Sequence, residues 1–236
     1  GHHGGLWVTN DGGENWFPKH DDDGRIFGIN SIAVNPYDHN DIFITCNSSL
    51  ANVSLYSAGL YKSEDGGGTW DKSNTGVIYE LNYPTVFWGS TVRKVIYHPT
   101  IEDHVYFLSY RNLIKSVDNG ESWDTLLHRE YFPWGDTVTT NIDYQKGFFD
   151  IKIAPWDDSL LYIAGSEVFE LRETESGIDT LNLSDSIFLT GLQPGDSLKR
   201  PPYRTEIAMH PDCPGSVWFC SVAEYYRDDT TGFFIR

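Results

Sequence analysis

The chain has 236 residues and a mass of 26.8 kDa, enough for one large domain without forcing two. Its 17 Lys+Arg against 34 Asp+Glu leave a formal charge of −17; such a surface repels phosphate backbones and anionic lipid, which argues against nucleic-acid binding and membrane adsorption. No apolar run reaches the roughly 18 residues of a transmembrane helix, so no membrane insertion is expected in this segment, and 15% aromatics with 22 Gly exclude disorder and disfavour a helical bundle.

In chain order, residues 1–25 open on Gly1-His-His-Gly4, with neither an initiator Met nor a signal peptide, so a processed product or a fragment is expected. They continue into a short hairpin around Thr9-Asn-Asp-Gly-Gly-Glu-Asn-Trp16. Residues 26–77 hold the alternating run Ser31-Ile-Ala-Val-Asn-Pro36, the apolar run Asp41-Ile-Phe-Ile-Thr45, the segment Gly59-Leu-Tyr-Lys62 and the turn Ser63-Glu-Asp-Gly-Gly-Gly-Thr-Trp70. Residues 90–135 repeat the series with Lys94-Val-Ile-Tyr-His-Pro99, Val105-Tyr-Phe-Leu108, Asn112-Leu-Ile-Lys115 and Ser116-Val-Asp-Asn-Gly-Glu-Ser-Trp123. Residues 148–200 begin it again with Asp150-Ile-Lys-Ile-Ala-Pro155 and Leu160-Leu-Tyr-Ile163. There Phe169–Gly177 keeps the place of the turn without its Asp, Gly and Trp, and a polar insertion is expected at about 177–200. Residues 203–236 supply Glu206-Ile-Ala-Met-His-Pro211, Val217-Trp-Phe219 and Gly232-Phe-Phe-Ile-Arg236.

Three turns therefore fit Ser/Thr-x-Asp-x-Gly-x-x-Trp, with tryptophans 54 and 53 residues apart. Each unit reads as four short strands, A to D, with the turn joining C to D and strand D starting at the Trp. The Asp-Gly and Asn-Gly pairs supply the φ > 0 positions of a tight hairpin, and the Asp carboxylate accepts backbone N–H groups within it. Thr9, Asp11, Gly13 and Trp16, Ser63, Asp65, Gly67 and Trp70, and Ser116, Asp118, Gly120 and Trp123 are thus read as structural residues. Four-stranded units at this spacing predict an all-β fold: a β-propeller of antiparallel blades, as an incomplete arc of about four blades within one segment, residues 1–236. The two ends both carry strand C, so they do not complete one another; a protein partner or remaining parts of the same polypeptide are expected to cover the open blade faces.

The motif resembles the Asp-box, or bacterial neuraminidase repeat, of sialidases, sortilin-type propellers, xyloglucan-cleaving glycosidases and a photosystem assembly factor. The resemblance implies blades, and leaves the chemistry open. In that family the box hairpins lie on one face and ligands bind on the other, which is built by the B–C loops and D–A connections. The corresponding segments are long and aromatic: 47–58 with Tyr56, 76–91 with Tyr79, Tyr83, Phe87 and Trp88, and 129–147 with Tyr131, Phe132, Trp134 and Tyr144. Such rings stack on sugars, anchor proteins, or only cover the propeller hub.

A sialidase-like site would need an arginine triad, yet no arginine recurs at matching blade positions. A hydrolytic carboxylate pair has Asp136, Asp143 and Asp150 as its candidates, beside Glu80 and Glu130. His20-Asp-Asp-Asp-Gly24 offers Asp21, Asp22 and Asp23 as Ca²⁺ ligands, with a solvated acidic turn as the alternative and no other cofactor expected. Among the three cysteines, Cys213 and Cys220 flank a short strand and are open to a local bridge or to two thiols.

The triplet Asp-Ser/Thr-aliphatic (or Thr) places hydroxyls at Thr125, Thr137, Ser159, Thr180, Ser186, Ser197 and Thr230. These are seven occurrences where composition predicts about one. The triplet resembles the O-glycosylation acceptor of periplasmic and secreted proteins in gliding-type bacteria with type IX secretion; turn formation is the alternative. The expectation is an extracellular or cell-surface, sortilin-like binding or scaffold module taking protein or glycan partners. The alternative is a glycoside hydrolase with its carboxylates on the face opposite the Asp boxes.

Overall fold

The computed structural model describes residues 5–19, 28–50, 53–75, 92–128, 147–184 and 204–222. It is built almost wholly of strands and divides into two compact units, residues 1–130 and 131–236. No helix among the described residues is long and apolar enough to cross a membrane.

In the first unit, β1 (Leu6–Val8) and β2 (Phe17–Lys19) form a hairpin. The strands β3 (Gly28–Val34), β4 (Ile42–Leu50), β5 (Val53–Ser63) and β6 (Asp71–Lys72) make one four-stranded antiparallel meander. A second consists of β7 (Val92–Tyr97), β8 (Val105–Ser109), β9 (Asn112–Ser116) and β10 (Asp124–His128). The second unit holds β11 (Phe148–Ala154), β12 (Asp157–Gly165), β13 (Val168–Thr174) and β14 (Gly177–Asn182) in a third meander. It also holds the antiparallel pair β15 (Arg204–Met209) and β16 (Val217–Val222). Each meander is a propeller blade: consecutive strands paired in order, joined by short turns, with no crossover.

Blade sheets are covered on both faces, so their inner strands are apolar in both registers rather than alternating. Val105 through Ser109 of β8 are all buried, as are Leu160 through Gly165 of β12. Between the first two meanders, Ala33, Phe43 and Leu60 pack against Val92, Val95, Val105, Phe107 and Ile114, with Tyr97 and Trp123 closing the layer. In the second unit, Leu160, Tyr162, Ala164 and Val168 pack against Ile207, flanked by Met209, Val217 and Phe219. The three complete blades each carry a register shift early in strand A, at Ile29/Ser31, Val92/Lys94 and Phe148/Asp150. Bulges there raise the local twist.

Three boundaries differ from the sequence reading. The described residues of 47–58 do not form an open loop: β4 runs to Leu50 and β5 starts at Val53, with Asn47 opposite Ser57 and Leu50 opposite Val53. Pairing with the facing strand there satisfies backbone groups that a loop would leave to water. Residues 177–182, assigned to an insertion, are the fourth strand of their blade, because Gly177 (φ 138°) turns the chain back and Gly177 to Asn182 then pair with Thr174 to Phe169. Strand D starts one residue after each motif tryptophan, at Phe17, Asp71 and Asp124. Cys46 is buried, Cys213 and Cys220 are exposed, and all three are free thiols.

Candidate functional site

The three Ser/Thr-x-Asp turns share one hydrogen-bond plan. The hydroxyl at the first position accepts the N–H of the motif glycine at 2.8, 2.8 and 2.7 Å (Thr9–Gly13, Ser63–Gly67, Ser116–Gly120). It donates its own proton to the carboxylate at 2.8, 2.9 and 2.7 Å (Asp11, Asp65, Asp118). The carboxylate then accepts the backbone N–H of Asn15, Thr69 or Ser122 at 2.9, 2.8 and 2.8 Å, and the side chain of that same residue on its second oxygen. These donors favour the charged carboxylate and bring all three Asp side chains down to about 2. Asp11 and Asp65 owe this first to the backbone N–H of Asn15 and Thr69, Asp118 first to the Ser122 hydroxyl. An acid this firmly ionised and this occupied is a turn brace, not a proton donor.

The residue before the motif glycine also has positive φ in all three turns, where Gly12 (74°), Gly66 (68°) and Asn119 (54°) stand. Asn119 does more than turn the chain. Its side-chain amide donates to Asp41 Oδ2, and its carbonyl accepts the Tyr97 hydroxyl at 2.9 Å, tying the third turn to the preceding blade. Burial and the nearby Asp41 carboxylate raise the Tyr97 phenol well above its ordinary range. The tryptophans divide by position. Trp123 lies edge-on to Phe43 and Phe107 (ring centroids 6.0 and 6.4 Å apart) and donates its indole N–H to Gly120 O and Ser73 Oγ. Trp70 packs on Ile44 and Cys46, while Trp16 of the first hairpin is exposed.

Asp150 is fully buried. Its Oδ2 accepts the N–H of Ile207 on β15 at 2.9 Å and its Oδ1 that of Ile151 at 3.0 Å, so it joins two neighbouring sheets and is not presented to a ligand. Asp136 and Asp143 lie outside the described residues. Tyr79, Tyr83, Trp88, Tyr131, Phe132 and Trp134 also lie outside them, as do Asp21, Asp22 and Asp23. Among the described residues no group of three or more His, Cys, Asp and Glu is placed to hold a metal ion. Of the triplet hydroxyls, Thr125 and Thr180 stand exposed on the edge strands β10 and β14. Ser159 instead donates to Asp157 at 2.7 Å, and the other four fall outside the described residues.

A shallow groove of about 260 Å³ runs over the outer strands of the third meander, lined by Glu170, Arg172, Asp179, Thr180 and Leu181. Arg172 donates to Asp157 at 2.7 Å and holds that carboxylate below its usual range. Tyr162 donates to Glu170 at 2.9 Å; burial first, then this bond, pushes its phenol up to about 12. Glu170 and Asp157 are thus already engaged by a phenol and a guanidinium, an arrangement suited to polar recognition rather than proton transfer.

Two features escaped the sequence reading. One is the polar residue just before each motif tryptophan (Asn15, Thr69, Ser122), whose shared hydrogen-bonding character was the available signal. The other is the residue before the strand-A proline. Asn35 Oδ1 accepts the N–H of Tyr37 at 2.9 Å, His98 Nδ1 those of Thr100 and Ile101 at 3.2 and 3.0 Å, and His210 Nδ1 that of Asp212 at 3.1 Å. An acceptor two atoms beyond Cβ is common to Asn and His there and caps the A–B turn.

No family model matches the chain. It is 25% identical over 165 residues to the xyloglucanase Xgh74A of Acetivibrio thermocellus, an alignment covering 66% of this chain and 19% of that protein. Among solved structures, an ancestral GH74 enzyme superposes with a TM-score of 0.54 at 16% identity, covering 98% of this chain and 29% of its own. A GH74 enzyme of Niastella koreensis aligns at 0.41 and 16% identity, over 77% of this chain and 34% of its own. The chain thus spans a fifth to a third of the length of these proteins. With the three meanders, the superposition on the ancestral enzyme establishes the fold as all-β propeller blades amounting to part of a propeller.

Proposed function

We propose that the chain is an Asp-box propeller segment that serves, outside the cell, as a binding or scaffold module for protein or glycan partners. The observation that carries this reading is the structural employment of five of its described acids. The three motif carboxylates brace turns, Asp150 ties two sheets together, and Asp157 is paired with Arg172. The side chains read as meeting a ligand are the aromatic set of the D–A connections, Tyr79, Tyr83, Trp88, Tyr131, Phe132 and Trp134, whose rings suit sugar faces and protein anchors alike. The Asp-Ser/Thr triplets and the acidic composition support the extracellular setting, with O-glycosylation at exposed hydroxyls such as Thr125 and Thr180.

The second reading, a glycoside hydrolase with Asp136 and Asp143 in its carboxylate pair, draws on the similarity to a xyloglucanase. One experiment separates the two. The chain is titrated calorimetrically with xyloglucan oligosaccharides and assayed for new reducing ends. Heat of binding without new reducing ends, lost in Trp88→Ala or Trp134→Ala, is the expected result for a glycan-binding module. Release of reducing ends that Asp136→Asn or Asp143→Asn abolishes would replace it with the hydrolase. Absence of both directs the search to protein ligands.

A further inference from the structure

Asn119 is followed by Gly120, the single Asn-Gly pair in the sequence. In such a pair the asparagine side chain is open to attack by its own backbone. The amide nitrogen of the glycine adds to the asparagine Cγ and gives up its proton, and the side-chain nitrogen leaves as ammonia, closing a cyclic imide. Water then opens the imide at either carbonyl, leaving aspartate or, with the main chain rerouted through the side chain, isoaspartate. Glycine favours the attack because no Cβ stands beside the nitrogen.

The fold holds both reacting groups. The nucleophile, Gly120 N, donates its proton to Ser116 Oγ at 2.7 Å. The electrophile is clamped from two sides. The Asn119 carbonyl accepts the Tyr97 hydroxyl at 2.9 Å, and its amide donates to Asp41 Oδ2 in the turn between β3 and β4 of the neighbouring meander. The turn itself does not require an asparagine. Asn119 N–H donates to Asp103 O at 2.9 Å, and in the preceding blade Gly66 makes the same bond to Asn40 O at 3.0 Å with no side chain at all. The Asn119 side chain is therefore employed in the tie between blades, and the nitrogen that holds Asp41 is the one that deamidation would release.

We propose that Asn119–Gly120 is a latent deamidation site: it stays an amide while the first two meanders pack together, reacts when they part, and once converted keeps them loosened. The product has a carboxylate where the donor stood, facing Asp41 with like charge. The isoaspartate form also lengthens the backbone of a turn whose glycine lies against the Phe43 ring.

To test this, the 236-residue chain is incubated in mildly alkaline buffer, folded or in urea, and the peptide bearing Asn119 is followed by mass spectrometry with isoaspartate-specific methylation. Conversion should be at least about tenfold faster in urea than in the folded chain, where it waits on local opening. Tyr97→Phe removes one bond of the clamp and should raise the folded-state rate about two- to tenfold, leaving the rate in urea unchanged. Asn119→Asp reproduces the aspartate product and should lower the urea midpoint; Asp41→Asn added to it supplies a donor to the new carboxylate and should recover most of the loss. Far-UV circular dichroism confirms that each variant is folded before it is compared, and the wild-type comparison needs no variant. Equal rates in the folded and unfolded chain overturn the proposal, as does a folded Tyr97→Phe chain that reacts no faster. So does an Asn119→Asp chain that unfolds at the wild-type midpoint, or a double substitution no more stable than Asn119→Asp alone.

Discussion

Gly120→Ala offers a sharp test of how the Asp turns are built into the blades. Gly120 has φ of 89°, and a Cβ placed on it would lie 2.5 Å from Phe43 Cζ and 3.1 Å from Cε1. The substitution therefore meets two separate costs. Forcing an L side chain into the left-handed region costs about 1–2 kcal/mol, and pushing the fully buried Phe43 ring off its packing costs about 1–3 kcal/mol more. Gly66→Ala supplies the reference, since its φ is 68° and the nearest atom to an added Cβ is Asn40 Oδ1 at an ordinary 3.6 Å. It should show the backbone cost alone, about 1–2 kcal/mol. Urea unfolding followed by tryptophan fluorescence gives both values from the shift in midpoint at constant slope. Losses that agree within about 0.5 kcal/mol, the error of such comparisons, would refute the reasoning, because the Phe43 ring would then yield freely and the close approach would not be what fixes glycine there.

Lowering the pH probes the same turns through their carboxylates. The folded-state values near 2 lie below the ordinary 3.8, so the native state binds fewer protons than the unfolded chain. The stability contributed by Asp65 and Asp118 is therefore complete above pH 4 and lost as pH falls from there through about 2, and Asp118→Asn should flatten that part of a stability-versus-pH curve. Asp150→Ala leaves the buried N–H groups of Ile151 and Ile207 without this acceptor and should lower stability by about 2–3 kcal/mol in urea. If Asp150 served a ligand instead, the substitution would change binding and leave the unfolding midpoint in place. Trp123→Phe keeps most of the ring but removes the N–H shared by Ser73 and Gly120; a loss of about 1–2 kcal/mol is expected by thermal unfolding, and no loss would show that packing on Phe43 and Phe107 acts alone.

The sequence by itself determined the blade plan and the three turns. Ser/Thr-x-Asp-x-Gly-x-x-Trp encodes bonds that close within four residues, such as Gly120 N to Ser116 Oγ and Ser122 N to Asp118 Oδ1, so residue spacing alone reports them. The apolar runs likewise announce strands, because pairing in order needs only short connections. Where local signals were weak the reading erred: the continuation of β4 and β5 into 47–58 and the fourth strand at 177–182 depend on a facing strand rather than on their own polar residues. Only the tertiary structure decided what Asp150, Asn119 and Trp123 do. Their partners Ile207, Asp41 and Ser73 lie 57, 78 and 50 residues away and are met only once blades pack face to face. The same packing buries Phe43 beside Val95 and Tyr162 beside Ile207. An aromatic at one strand position is a buried contact or an open face according to whether a neighbouring sheet covers it, and that depends on contacts that no stretch of local sequence contains.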